Sequence, residues 1–224
     1  MNDLTQLIPI AAGVMISPLP IVAAVALLLS ARGRANGLAF VAASVVVLFA
    51  WTLLGGLTAS RAGAGNSDGD DLVVLIITAV LALGFLVLAV TSWLGRPRAG
   101  QPAQTPSWLA VADTLTPVRS AGLGALMGVT NAKNIPLALK AGALVGAHDL
   151  PVAAVVGVSA VFAVGASLAL ILLVLLAASR SQRIGAALQR LKSELIAHNA
   201  IIMSVLFALL AASEIGHLLH ALIR

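Results

Sequence analysis

The stretch MGVTNAKNIPLALKAG, residues 127–142, places polar side chains inside a long apolar run. It contains Asn131, Lys133, Asn134, Pro136 and Lys140. A proline interrupts helical hydrogen bonding, and a lysine at bilayer depth is costly unless it has a partner or water. The stretch therefore predicts a broken membrane helix whose polar groups face protein or a water-filled cavity.

The composition around this stretch is that of a membrane protein. Of the 224 residues, 60% are apolar and 9% are charged, whereas soluble domains have roughly 25% charged residues. Several apolar runs exceed the roughly 20 residues that span a hydrocarbon core, so we expect an all-α polytopic protein without a sizeable soluble domain. The net charge of +5 falls in short loops beside apolar runs, so it indicates topology, and nucleic acid is not an expected partner.

Apolar runs and their polar interruptions predict six transmembrane helices, at residues 4–30, 36–60, 71–95, 119–147, 150–179 and 194–222. The loops that follow spans 1, 3 and 5 carry the basic residues Arg32, Arg34, Arg96, Arg98, Arg119, Arg180, Arg183, Arg190 and Lys192. By the positive-inside rule these loops are cytoplasmic. We therefore expect a multi-pass protein of the cytoplasmic membrane with both termini on the outer side.

Other sequence features argue against a signal peptide, disulfides and cofactor sites. No basic residue precedes Arg32, which argues against a signal peptide and favours a first transmembrane helix. The chain has no cysteine, which excludes disulfides, cysteine-ligated metals and thiol electron transfer. Because no cluster has metal-ligand spacing and no nucleotide-binding motif is present, we expect neither a metal nor another cofactor.

The spans fall into two halves, separated by the polar connection from Arg96 to Pro117. Each half has an odd number of spans, so the halves have opposite orientations. Their opening helices, VMISPLPIVAAVALLL (14–29) and LMGVTNAKNIPLALKAGALV (126–145), both reach a break near the midplane. This pattern is typical of inverted-repeat transporters, in which paired discontinuous helices form the substrate site. Two unrelated proline kinks are the alternative.

We accordingly predict two inverted three-helix repeats with broken first helices. The predicted divisions are a first repeat, a cytoplasmic linker and a second repeat, at residues 1–95, 96–118 and 119–224.

Ser17, Pro18 and Pro20 form the first predicted break. Each proline lacks an N–H, so the carbonyls about one turn upstream, near Val14 and Ile16, lose their helical partners. Ser17 then has two interpretations. Its hydroxyl either satisfies the freed backbone or contributes to a substrate site together with the second break.

Asn131, Lys133 and Asn134 form the second predicted break. An asparagine that accepts from backbone N–H groups can start the following half-helix, whose positive N-terminus suits an anion. Lys133 adds a full charge, and its alternative role is to pair with a carbonyl or an acid and brace the repeat interface. Lys140 lies on nearly the same helix face and extends a path for an anionic group, unless it reaches toward the outer headgroups.

Glu214 and His217 are i, i+3 neighbours in span 6. Glu214 is the acidic residue placed deepest in a predicted span, so it is a candidate counter-ion for the lysines or a proton-coupling carboxylate. His217 stands nearer the outer interface, where an ordinary hydrated histidine is the alternative.

Two motif regions resemble a known family. ISPLPIVAAVALLLSARGRANGLAF (16–40) and PSWLAVADTLTPVRSAGLGALMGVTNAKNIPLALKAG (106–142) are similar to the GAP / sulfolipid-addressing (Sap) family of actinobacterial membrane proteins, a branch of the LysE transporter superfamily. The family's second motif usually reads Asn-Pro-Lys-Asn, so Asn131, Lys133 and Asn134 match while Ala132 replaces the proline. The resemblance implies movement of envelope glycolipids toward the outer surface, and the wider superfamily implies export of small solutes.

We therefore expect a transporter or flippase-like carrier for an envelope lipid or glycolipid headgroup, and not an enzyme. One alternative is an ion-coupled small-solute exporter of the LysE kind. Another is a non-transporting accessory subunit of an envelope-lipid synthesis complex. Small-residue faces are compatible with a homodimer, and envelope-lipid synthesis proteins are further candidate partners.

Overall fold

The computed structural model describes residues 3–62, 68–97, 109, 112, 114–148, 150–179 and 181–223. Across these ranges the chain is helical and contains no strand, in agreement with the predicted all-α class. After a short 3₁₀ turn at Asp3–Gln6, the α-helices are α1 (Leu7–Met15), α2 (Pro18–Leu28), α3 (Gly33–Ala62), α4 (Asp68–Leu94), α5 (Pro117–Thr130), α6 (Asn134–Gly146), α7 (Val152–Ala166), α8 (Leu168–Ala177) and α9 (Gln182–Ile223). Most of the predicted linker, including Arg98, and the predicted cytoplasmic residue Arg180 lie outside the described residues.

The apolar helices indicate a membrane protein. Within the described residues, α3 and α9 are long and apolar enough to cross a bilayer by themselves. The bent pairs α1–α2 and α7–α8 raise the number to four if each pair is one span. Large apolar side chains such as Val46, Leu83 and Leu209 are each more than 60% exposed, as expected of surfaces that lipid covers. Six separate crossings stay a prediction.

The chain forms two compact units. The first contains Met1–Ala62 and Thr105–Ile196, and the second contains Gly63–Gln104 and Ala197–Arg224. Each unit is a group of residues that contact one another, and each combines segments that are distant in the chain. This grouping does not test the predicted division into two three-helix repeats and a linker, which stays a prediction.

Close helix packing centres on α3 in the first unit, where it contacts α5 and α6 most extensively. A β-carbon at Gly142 of α6 would overlap the carbonyl oxygen of Thr52, and one at Gly55 of α3 would overlap that of Leu139. Glycine at these positions lets the two backbones touch, which is how small residues hold membrane helices together. This contact fixes α6, and with it the second break, against α3.

Helix α2 lies in the interior of the first unit. Its residues Ala23, Ala24, Val25 and Leu27 are almost completely buried, in a cluster with side chains of α3, α8 and α9. A helix that is apolar all round is buried on all sides. The half-helix after the first break is therefore buried along most of its length, although Leu19 in its first turn is 41% exposed.

The second unit has a smaller core between α4 and the C-terminal part of α9. The rings of Phe85 and Phe207 stack with centroids 6.1 Å apart, beside Ala89 and Ala211. The Ser204 hydroxyl donates to the carbonyl of Ala89 at 3.0 Å. This hydrogen bond satisfies a buried polar group within the apolar contact.

Candidate functional site

The first predicted break is present between α1 and α2, whose axes differ by 56°. Ser17 has an extended backbone (φ −120°, ψ 101°) and precedes Pro18, the first residue of α2. The carbonyl of Ile16 would be the helical partner of the N–H four residues later, but that residue is Pro20. Proline chemistry thus leaves this carbonyl available to another donor, as the sequence predicted.

The second break lies between α5, which ends at Thr130, and α6, which begins at Asn134. The Asn131 side-chain oxygen accepts from the backbone N–H of Lys133 at 3.2 Å and of Asn134 at 3.1 Å. This contact satisfies N–H groups that have no partner inside the helix, so the predicted capping by asparagine is confirmed. Ile135 already donates its N–H to the carbonyl of Asn131 at 3.1 Å, so Pro136, which has no N–H, leaves the carbonyl of Ala132 without its helical partner. The break therefore stays at the motif although Ala132 replaces the usual proline.

Lys133 joins the two breaks. Its side chain is 1% exposed, and its ammonium donates to the carbonyl oxygens of Gly13 and of Ile16, the latter at 2.8 Å. These carbonyls belong to the C-terminal end of α1, which carries partial negative charge. In this structure Lys133 therefore pairs with backbone carbonyls across the two broken helices, while its role in binding a substrate stays a prediction.

A second contact connects the same segments. The Ser17 hydroxyl donates to the side-chain oxygen of Asn134 at 3.1 Å. Ser17 is 4% exposed, so a hydroxyl without a partner there would lose its hydration without replacement. Polar groups of the first break therefore form hydrogen bonds with polar groups of the second break.

A cavity of about 50 Å³ lies where these segments meet. Of the predicted site residues, Ser17, Pro20, Asn131 and Asn134 line it. A volume of this size has room for about one or two water molecules. We call it the midplane cavity, after the predicted depth of the breaks.

A third break, which was not predicted from the sequence, reaches the midplane cavity. Helices α7 and α8 are bent by 55° at Ser167, which lines the cavity together with Ser44 of α3. The Ser167 N–H bonds to the carbonyl of Val164, a turn tighter than an α-helix. Span 5 has no proline there, and the available signal was the run of small residues from Gly165 to Ser167 within an apolar segment.

Other predicted site residues lie elsewhere. Pro18 and Lys133 are buried beside the midplane cavity, but neither is among the described residues that line it. Lys140 is half-buried on α6 and is likewise not part of its described lining. The predicted path of two lysines therefore does not run through this cavity.

Glu214 and His217 belong to the second unit. Glu214 is 3% exposed, and its carboxylate lies 3.9 Å from the Nδ1 of His217. The predicted neighbour pair is therefore present on α9. Its roles as counter-ion or proton carrier stay predictions. Among the described residues, no group of three metal-ligating side chains comes together.

Comparison with known protein families identifies the family of the chain. A family model described as Sap, sulfolipid-1-addressing protein matches residues 7–217, which include all three helix breaks. Neither a curated protein nor a solved structure matches the chain.

Proposed function

The chain belongs to the Sap, sulfolipid-1-addressing protein family, and from that premise we propose that it carries the polar headgroup of an envelope lipid or glycolipid across the cytoplasmic membrane. The observation that carries this proposal is the meeting of three broken helices at one cavity, where the side chains of Ser17, Asn131, Asn134 and Ser167 from the breaks line an otherwise mainly apolar wall. Broken helices place backbone and side-chain polar groups at membrane depth, where transporters bind substrate. The family description names a sulfolipid, so an anionic glycolipid is the substrate class we assign.

The described structure corresponds to a closed state of this carrier. A cavity of about 50 Å³ is well below the roughly 300–1,000 Å³ of pockets that enclose drug-sized ligands, so it is too small for a sugar headgroup. Headgroup binding therefore requires α1–α2 and α5–α6 to separate at their breaks. That movement releases the Lys133 ammonium from the carbonyls of Gly13 and Ile16.

The groups released by opening match a sulfated or phosphorylated sugar. The Lys133 ammonium would pair with the anionic oxygen, and the carbonyls of Gly13 and Ile16 would accept from sugar hydroxyls. Ser17 and Asn134, separated from each other, would hydrogen-bond the same sugar. Protein–ligand hydrogen bonds would replace the protein–protein hydrogen bonds that opening breaks, which offsets part of the cost of opening.

The lipid tails have a route beside the third break. Leu168 and Leu172 of α8 are 45% and 53% exposed, and Leu168 directly follows Ser167, which lines the midplane cavity. An exposed apolar surface next to the polar side chains of the midplane cavity lets the tails stay in the bilayer while the headgroup moves. We propose that the carrier opens sideways at this position.

The proposal also includes the predicted repeats, the membrane topology, the driving force and the partners. We place the broken helices in two inverted repeats with six crossings and both termini outside, as the basic loops and the paired breaks favour. Since the sequence has no nucleotide-binding motif, we assign the driving force to an ion gradient, with Glu214 of α9 as the coupling carboxylate. A homodimer and contacts with envelope-lipid synthesis proteins stay predictions.

The test is movement of a fluorescent sulfated glycolipid between leaflets of liposomes that contain the purified full chain. Lys133→Met should slow movement by about tenfold to hundredfold, which corresponds to the loss of one charge-assisted contact of about 1.5–3 kcal/mol. Arg190→Met removes an exposed cation of α9 and should leave the rate unchanged. Equal rates for the two variants, with both proteins folded, would contradict the proposal.

An accessory role is the second candidate, and one observation favours it. Lys133 is fully engaged with backbone carbonyls, as a purely structural lysine would be. In that case the purified chain moves no lipid and co-purifies with an envelope-lipid synthesis enzyme. Release of a trapped amino acid without lipid movement would instead indicate a small-solute exporter.

A further inference from the structure

A second, larger cavity lies at the other end of α2. Its volume is about 640 Å³, and it is lined by residues 28–35 between α2 and α3, by Ala177 of α8 and by the first turns of α9. We call it the arginine cleft. A volume of this size falls within the range of about 300–1,000 Å³ that is typical of ligand pockets.

The arginine cleft is basic. Arg32 and Arg34 both line it and are exposed, and its described lining contains no acidic residue. An arginine guanidinium pairs with sulfate, phosphate or carboxylate through two parallel N–H groups. The charge of the cleft therefore selects an anion.

The loop that carries the arginines is held in place by hydrogen bonds. Asn36 is completely buried and donates to the Ser30 hydroxyl at 3.1 Å and to the Leu115 carbonyl at 2.9 Å. Ser30 in turn donates to the carbonyl of Leu27, and Arg34 donates to that of Ala178. Fixing the loop in advance lowers the ordering cost when an anion binds.

The opposite side of the arginine cleft is apolar. Ile184 and Leu188 of α9 line it together with Leu28 of α2. At Gly185 of α9 a β-carbon would meet no atom within 4 Å, so this side has open space. Basic groups on one side and apolar groups on the other fit an amphiphile better than a free inorganic anion.

The length of α2 places the arginine cleft relative to the midplane cavity. Helix α2 begins beside the first break and has 11 residues, a rise of about 16 Å. Half of a hydrocarbon core of about 30 Å is about 15 Å. If the break lies at the midplane, the arginine cleft lies at the membrane surface, on the side that the basic loops identify as cytoplasmic.

We propose that the arginine cleft binds the anionic headgroup of a lipid from the cytoplasmic leaflet. Arg32 and Arg34 hold the headgroup, and the first methylene groups of the tails lie against Ile184 and Leu188. Binding at the cleft stands independently of transport. The additional proposal that the arginine cleft is the loading site of the carrier rests on the proposed function.

The binding test is native mass spectrometry of the full chain, titrated with phosphatidylglycerol, with phosphatidylcholine and with free glycerol phosphate. We expect a preference for phosphatidylglycerol that Arg32→Gln weakens about tenfold. Gly185→Phe should block binding by filling the space. The matched controls are Arg190→Gln for charge and Gly157→Phe for bulk, since a β-carbon at Gly157 also meets no atom within 4 Å.

Three results would overturn binding at the arginine cleft. They are equal occupancy by phosphatidylglycerol and phosphatidylcholine, equal effects of Arg32→Gln and Arg190→Gln, and unchanged binding in Gly185→Phe. Competition by glycerol phosphate as strong as that of the whole lipid would identify a free-anion site and overturn the assignment to lipid.

The liposome assay separates this proposal from the proposed function. Slower glycolipid movement in Arg32→Gln, with folding unchanged, supports loading at the arginine cleft. Normal movement in Arg32→Gln despite lost lipid binding overturns the loading role alone. Phosphatidylglycerol binding that depends on Arg32, in a protein that moves no lipid, supports the binding site while the carrier function fails.

Discussion

The midplane cavity and the arginine cleft lie at opposite ends of α2. The lysine beside the midplane cavity is buried, whereas the arginines of the cleft are exposed. Lys133 is 1% exposed and is held by backbone carbonyls, whereas Arg32 is exposed beside a cavity of about 640 Å³. A buried polar group is costly unless the protein satisfies it, while an exposed one can exchange water for a ligand. Burial therefore explains why Lys133 is held by the protein in the described closed state and must be released before it can bind, whereas Arg32 is accessible to a ligand in that state.

The largest expected effect comes from the packing that fixes the midplane cavity. Gly142→Leu should prevent a stable fold, because its β-carbon would overlap the Thr52 carbonyl on the adjacent helix backbone. Gel filtration in detergent and the yield of monodisperse protein measure the effect. Gly122→Leu is the control, since a β-carbon there meets nothing within 4 Å. Equal behaviour of the two variants would contradict the close contact of α3 with α6.

Lys133→Met should lower the free energy of unfolding by about 2 kcal/mol, because the buried carbonyls of Gly13 and Ile16 lose their donor. Thermal unfolding in detergent, compared with Lys140→Met, measures the difference. A larger loss in Lys140→Met would show that the brace between the broken helices is not the stabilising contact.

Asn131→Ala should cost about 1 kcal/mol, the usual effect of losing an N-terminal cap. The side-chain oxygen that accepts from Lys133 and Asn134 is absent in this variant. Asn131→Asp keeps an acceptor at the same place and should be closer to the parent in thermal unfolding. If both variants unfold like the parent, the second break does not depend on this cap.

The smallest effect is expected at the arginine cleft. Arg32→Gln should shift the unfolding midpoint by no more than about 2 °C, because an exposed side chain contributes little to the folded state. The same thermal measurement as for Lys133→Met gives a direct comparison. A shift as large as that of Lys133→Met would remove the distinction between a buried cation held by the fold and an exposed cation.

The parts of the site that depend on residues within one helical turn were predictable from the sequence. Proline at positions 18 and 20 determines that the carbonyl of Ile16 has no helical partner, and an asparagine at 131 can cap the helix that follows. The break at Ser167 was not predicted because it has no comparable local cause. Its bend of 55° occurs in a segment that would form a continuous helix by propensity alone.

The sequence by itself determined an apolar, helical membrane protein of this family, with helix breaks at Ser17 and Asn131. Those properties depend on composition and on residues within one helical turn. Only the tertiary structure decided that Lys133 binds carbonyls of α1, and that Arg32 shares a cleft with the first turns of α9. These contacts join segments more than 100 residues apart, so they depend on how the helices pack and not on local chemistry.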